Sequence, residues 1–340
     1  MILGVDLGYG WVKATDGERQ VRFPALVGEA HELVMPEMFG SRALEYDVTI
    51  ETDSGSRRVF IGELARRESR DAALNLATRK YEDADTQALW LTTLALLAKD
   101  GEPLDVVTGL PLAHYETQRR ALRQRLEETT GRVTVQGRTV DVQVRSVRVI
   151  PQAMGAMIAS LLDPVTLELR NPAWTEHGGY LLLVDVGTRT TGFVTFETQP
   201  ELALVNRLSD SVDVGVHDLH VALAGVFRQR TGETPPLSDR IYDELLARGE
   251  VAYGGNAVSV EPERTRHMER LGGFIVRRIV ERMGAEAVRR VQTVFVAGGG
   301  YAIALPALQN AFPRVYVVPN PQMANAQGYW IYGVTRSGRG

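Results

Sequence analysis

The sequence predicts an α/β protein built on a duplicated core, with two domains around a common cleft. Three observations carry this expectation. Apolar runs with strand-like alternation repeatedly give way to helical stretches and then to new strands, the pattern of a mixed sheet covered by helices. A strand that ends in an Asp and a glycine turn occurs near residue 6 and again near residue 185, about half a chain apart. At 340 residues the chain is long enough for two domains.

The first element reads ILGVDLGYGWVK over residues 2–13. Its apolar first half is a buried strand, broken at Gly8-Tyr9-Gly10 before a second β-rich run begins, so it forms a hairpin with a carboxylate at its mouth. Such a turn suits a polyphosphate that carries a divalent metal: bare amides and Lys13 face phosphate oxygens, and Asp6 faces the metal's water shell. Taken alone, the same stretch reads equally well as a tight hairpin with a capping Asp.

A strand at 21–23 runs into Pro24, followed by an irregular polar segment to about Tyr46. Alternating runs at 47–51 and 57–61, joined by TDSGS, read as a hairpin, with a helix starting near 62–65. This is expected to be a small surface subdomain inserted at about 30–70. Residues 86–99 form an apolar helix, 104–108 a buried strand, and 115–130 a charged amphipathic helix. Residues 131–150 give β-rich runs that turn at Gly137. Pro151 opens a helix over 152–162, and 163–179 reads as a loop.

The opening pattern then returns. Residues 180–184 form an apolar strand, Asp185 ends it, Gly187-Thr188-Arg189-Thr190-Thr191-Gly192 makes a small-residue turn, and 193–196 resumes the sheet. A turn and helix at 211–227 lead into a largely helical region to about 284. Residues 291–297 are a buried strand running into Gly298-Gly299-Gly300, followed by a helix over 302–312, a strand over 315–318 and a terminal helix over 325–332.

Composition narrows the function classes. With 44% apolar and 24% charged residues the chain is a soluble globular protein, and a net charge of −4 gives no electrostatic reason to expect direct nucleic-acid binding. The absence of cysteine excludes disulfides, thiolate metal sites and Cys nucleophiles. His217 and His220 have no evident further ligands and read as structural or exposed. The longest helical apolar stretch, 88–98, is too short to span a bilayer, and the first residues lack a signal-peptide pattern, so a cytoplasmic protein without membrane contact is expected.

Two acidic hairpins suggest facing turns that grip one phosphate chain, with Asp6 and Asp185 holding hydrated Mg²⁺ through water, and a glycine-ended strand where backbone can approach a base or ribose. Together these features resemble the actin, sugar-kinase and heat-shock-chaperone ATPase superfamily, which has a ribonuclease H-like core. Within it, the sequence is similar to bacterial and archaeal actin-like proteins of the ParM/StbA plasmid-segregation type. DLGYGWVK resembles the first phosphate motif, DVGTRTTGFV the second and VFVAGGGYAIA the adenosine motif. VIPQAMGAM and MANAQGYW resemble the two inter-domain connections, and FIGELA and VTGLPLAHY are like further segments of the group.

The resemblance implies that Asp6 and Asp185 organise the metal, and that Gly8, Tyr9, Gly10, Lys13, Gly187, Thr188, Thr190 and Thr191 line the phosphates. Gly298, Gly299 and Gly300 would pass beneath the nucleoside. Gln152 falls where these ATPases orient the attacking water, and since a carboxamide is a poor proton acceptor, hydrolysis should be slow. The chain departs from the pattern at Trp11, at Thr188-Arg189 and at Gly192. Arg189 reads as a phosphate contact, a contact to a partner subunit or a solvated side chain.

The implied architecture is a first domain over 1–150 and a second over 151–340. The second carries a helical subdomain at about 227–285 and a C-terminal helix that packs back toward the first. Glu269 or Gly273 is a candidate for the base pocket. The implied function is a slow, Mg²⁺-dependent ATPase or GTPase that assembles head to tail into filaments for plasmid or other DNA segregation, with a DNA-binding adaptor as partner. Segments 30–69 and 227–255 are the expected subunit contacts. The alternative is a non-polymerising small-molecule kinase or nucleotide-dependent regulator of the same superfamily.

Overall fold

Strand Ile2–Leu7 is buried on both faces, as a strand covered by helices on both sides must be. It lies at the centre of the first sheet in the computed structural model, which describes residues 1–33, 45–77 and 79–338. On one side it pairs antiparallel with Trp11–Thr15, which pairs antiparallel with Gln20–Pro24. On the other it pairs parallel with Pro103–Leu110, which pairs parallel with Arg138–Pro151. Parallel neighbours need crossovers, and helix Leu112–Glu128 supplies the one between these last two strands.

The second sheet repeats this plan. Tyr180–Val186 is central, antiparallel to Thr191–Glu197, which is antiparallel to Ala203–Leu204. On its other side lie Val291–Ala297 and then Val315–Val317, both parallel. Register is repeated as well as order: Asp6 lies opposite Lys13, and Asp185 lies opposite Gly192 at the same spacing.

The long strand Arg138–Pro151 serves two sheet regions. Its second half pairs with Pro103–Leu110, while its first half pairs with Gly131–Val135, which leads to Glu45–Thr52, Gly55–Gly62, Leu26–Glu29 and Ala73–Leu74. This outer region is larger than the insertion expected at 30–70. Strand Leu26–Glu29, read from sequence as irregular, joins it by pairing with Gly55–Gly62. Four residues including Gly28 give no alternation to read, because Leu26, Val27 and Gly28 are all buried. The part of the expected subunit-contact segment at 34–44 lies outside the described residues.

Between the second-sheet strands lies a helical region with its own small core of Leu223, Phe227, Ile241, Tyr242, Leu245 and Val260. Its helices are Val216–Thr231 and Arg240–Arg248, and the second is bounded by Asp239, whose carboxylate accepts from the Ile241 amide at 2.9 Å, and by left-handed Gly249. A hairpin of Glu250–Tyr253 and Asn256–Ser259 interrupts the expected run of helix. Its turn, Gly254-Gly255, has positive φ at both positions, the backbone that a two-residue hairpin of favourable twist requires. Helix Glu261–Arg289 then returns to the sheet, kinked at Gly284.

Two helices join the halves. Gln152–Leu161 leaves the first sheet and packs on the second, where Ala153, Ala156, Met157 and Leu161 share a core with Leu181, Leu183, Val194 and Phe295. Ala324–Ser337 leaves the second sheet and packs on strands Ile2–Leu7 and Pro103–Leu110 of the first. They cross at Gly155 and Gly328, where a Cβ on Gly328 would collide with the Gly155 backbone. The exchange of helices ties the two sheets to one another.

Candidate functional site

The ends of both central strands open into one cleft between the sheets, a cavity of about 180 Å³ lined by Asp6 and Asp185. Both carboxylates are buried, at 4% and 6% exposure, so each needs compensation. Asp6 has a cation: Lys13, directly across the hairpin, donates its Nζ to Oδ2 at 2.6 Å. Gln152, the first residue of its helix, donates Nε2 to the other oxygen at 3.3 Å.

Asp185 has no cation bonded to it among the described residues. Asn325 donates its Nδ2 to Oδ2 at 2.7 Å, and the Asn325 carbonyl oxygen accepts from the Ala156 amide at 3.0 Å, tying both crossing helices to the second carboxylate. Burial pushes the Asp185 carboxyl up to about 6; the Asn325 hydrogen bond opposes this, the negative charge of Asp6 adds to it, and Lys13 partly offsets it. The two acids therefore sense one another across the cleft. Tyr329 lies fully buried beside them, its hydroxyl donated to the Gln152 carbonyl at 3.3 Å. Burial and then the two carboxylates hold its phenol protonated.

The turns close on one another as tightly as their glycines permit. A Cβ on Gly10 would run into the Thr188 side chain of the facing hairpin. Gly298 has φ +86°, and a Cβ there would meet the Val186 carbonyl and Asp185. Gly8, Tyr9, Gly10, Lys13, Gln152, Gly187, Thr188, Thr190 and Gly298 to Gly300 all line the same cleft as the two acids.

Thr191 does not join them. Strand alternation turns it to the opposite face from Thr190, where it is fully buried and donates its hydroxyl to the Val214 carbonyl at 2.8 Å. Glu269 and Gly273 also lie away from the cleft, because helix Glu261–Arg289 turns Gly272, Ile275, Val276 and Ile279 inward instead. His220, expected to be structural or exposed, is 7% exposed and lines the cleft.

The roof of the cleft carries contacts the sequence did not disclose. Helix Glu63–Glu68 of the outer first sheet meets helix Arg240–Arg248. Arg66 pairs with Asp243 at 2.9 Å, and Arg240 with Glu63 at 3.3 Å. Ser238 donates its hydroxyl to the Ala72 carbonyl at 3.0 Å. His220 Nε2 stands 3.4 Å from Asp243 without hydrogen-bond alignment, and burial lowers its pKa. Arg189 is not simply solvated. It pairs with Asp213 at 3.0 Å, lies 5.2 Å over the Tyr9 ring and donates to the Leu76 carbonyl, so it also bridges the halves. Arg66 and Asp243 are 177 residues apart, which left no local signal to find them. Asn325 lay within the MANAQGYW segment, and a polar residue amid small apolar ones was its signal.

The family described as actin like proteins, N terminal domain, matches residues 4–155, which include the first hairpin and Gln152. The family described as archaeal actin homologue MreB-like, C-terminal, matches residues 183–310, which include the second hairpin and the glycine strand end. The chain belongs to the actin-like proteins. Solved structures share the fold along nearly the whole of this actin-like chain. A non-polymerisable quadruple mutant of pCBH ParM superimposes with a TM-score of 0.85 at 20% identity, covering 98% of this chain and 99% of that one. A ParM from a 15-stranded filament of Clostridium botulinum gives 0.84 at 21%, with the same coverage. The archaeal actin homologue Ta0583 in complex with ADP gives 0.78 at 22%, again covering 98% and 99%. No curated protein sequence matches the chain.

Among the described residues no group of three or more His, Cys, Asp or Glu side chains could hold a metal ion, and no helix is long and apolar enough to cross a membrane. A metal in the cleft of this actin-like protein would have to take most of its ligands from water and a bound anion. Two acidic groups with one lysine between them fit that kind of site.

Proposed function

We propose that this actin-like protein binds a magnesium nucleoside triphosphate between its two hairpins, assembles head to tail into filaments and hydrolyses the nucleotide slowly, in the segregation of plasmid or other DNA. The observation that carries the reading is that Asp6 and Asp185, from hairpins in separate halves, line one cleft with Lys13 and Gln152. In the bound state the phosphates lie along Gly8 to Gly10 and Gly187 to Thr190, and Lys13 turns part of its charge from Asp6 to a phosphate oxygen. Asp6 and Asp185 would hold the water shell of a Mg²⁺, which would supply neutralisation of the charge developing on the phosphates. Gln152, anchored at the start of its helix, positions a water without deprotonating it, so turnover is slow. Gly298 to Gly300 pass under the nucleoside.

Self-assembly is supported by likeness of fold to a ParM from a filament, and a head-to-tail contact that does not close into a ring generates a polymer. A DNA-binding adaptor would couple it to cargo. The test follows light scattering and phosphate release after adding Mg²⁺ with ATP and, separately, with GTP. Scattering that rises with nucleotide and decays as phosphate appears supports the proposal. Phosphate release that requires a small acceptor, without scattering at any protein concentration, overturns the filament reading in favour of a kinase.

A further inference from the structure

The exposed large apolar side chains of the second half fall largely into two surfaces of complementary shape and charge. One is a knob. Val165 is 87% exposed at the tip of the loop following helix Gln152–Leu161. The loop is stiff: the Asp163 carboxylate accepts from the Val165 and Thr166 amides at 2.9 and 3.0 Å, and Leu162 bridges to Leu169 across its base. Leu202, also exposed, lies in the loop after Thr191–Glu197, at the same end of the sheet, away from the cleft. The carboxylates Glu168, Glu176 and Glu201 on these two loops are exposed and carry no ion pair among the described residues.

The other surface is a groove between helices Val216–Thr231 and Glu261–Arg289, a recess of about 320 Å³ floored by Val214, Leu219, Ala222, Leu271 and Phe274. Phe274 and the neighbouring Val221 are 36% and 50% exposed. Its rim carries Arg270 and Arg277 against Asp218, and neither arginine has an ion-pair partner among the described residues.

An apolar knob among carboxylates and an apolar groove rimmed by arginines complement one another, and they are formed by different elements of the second half. We propose that the groove receives the Val165 loop of a second copy of this chain. The contact is heterologous: after docking, one copy keeps a free knob and the other a free groove, so it propagates. A loop already fixed in shape gives up little entropy on docking. The inference rests on the filament reading and names a surface for it.

The test uses the full chain with Mg²⁺ and nucleotide, followed by sedimentation velocity. Val165→Asp and Phe274→Asp alter exposed residues outside the cleft, and nucleotide affinity checks that both remain folded. Each variant alone is expected to raise the concentration needed for assembly by about tenfold or more, the loss of one hot-spot contact. Mixed in equal amounts they are expected to form a discrete dimer and no polymer, because one intact knob meets one intact groove. Wild-type protein that assembles while both variants assemble equally well overturns this contact and leaves the filament reading standing. Wild-type protein that stays monomeric at every concentration with either nucleotide overturns both.

Discussion

Asp185 concentrates the electrostatic cost of the cleft. Burial raises its pKa from 3.8 in the unfolded chain to about 6 in the folded one, so between those values the native state binds more protons than the unfolded state. Stability of the ligand-free protein therefore falls as pH rises through that window and is lower by roughly 3 kcal/mol above it. Asp185→Asn keeps a partner for Asn325 and removes the charge. It is expected to raise the melting temperature at pH 7.5 by a few degrees and flatten the pH profile between about 4 and 6, while phosphate release is lost; calorimetry across pH checks the first part. Asp6 is compensated differently, by Lys13 at 2.6 Å. Lys13→Ala leaves that carboxylate buried and unpaired, with an expected cost of about 3 kcal/mol in urea unfolding. Gln152→Ala is expected to slow phosphate release by about tenfold or more while assembly persists, which separates water positioning from binding.

At the scale of elements, the two crossing helices decide how closely the sheets approach. Gly328 sits against the Gly155 backbone with no space for a methyl group. Gly328→Ala therefore forces the helices apart, and since Asn325 on one helix bonds both Ala156 on the other and Asp185, the cleft geometry moves with them. The expected result is a loss of about 1–3 kcal/mol together with weakened nucleotide binding, read by thermal melting with and without ligand. The paired hairpins were legible in sequence because each is local: a strand, an Asp and a glycine turn within a dozen residues. The strand Leu26–Glu29 and the hairpin ending at Ser259 were not legible, the first because it is short and its first three residues are all buried, the second because Gly254-Gly255 lay inside a region read as helix.

Across the whole molecule, the halves also meet over the cleft, through Arg66 with Asp243, Arg240 with Glu63, and Arg189 with the Tyr9 ring and the Leu76 carbonyl. Asp243 is 41% exposed on its side chain, so its pairing adds little to global stability, under about 1 kcal/mol. Its position gives it a larger effect on opening. Arg66→Ala is expected to leave unfolding nearly unchanged and to speed release of a fluorescent nucleotide several-fold, measured by stopped flow; unchanged release would show that the roof is no barrier.

The sequence by itself determined the duplicated α/β plan, the two acidic turns and the glycine strand end, because each is written in neighbouring residues whose spacing dictates backbone geometry; Gln152 was a candidate only through the family resemblance. Only the tertiary structure decided that Thr191 turns away while Thr190 faces the cleft, that Asn325 holds Asp185, and that Arg66, His220 and Asp243 form a roof. Those relations join residues far apart in the chain, and no local pattern encodes which distant surfaces the packing of two sheets brings into contact.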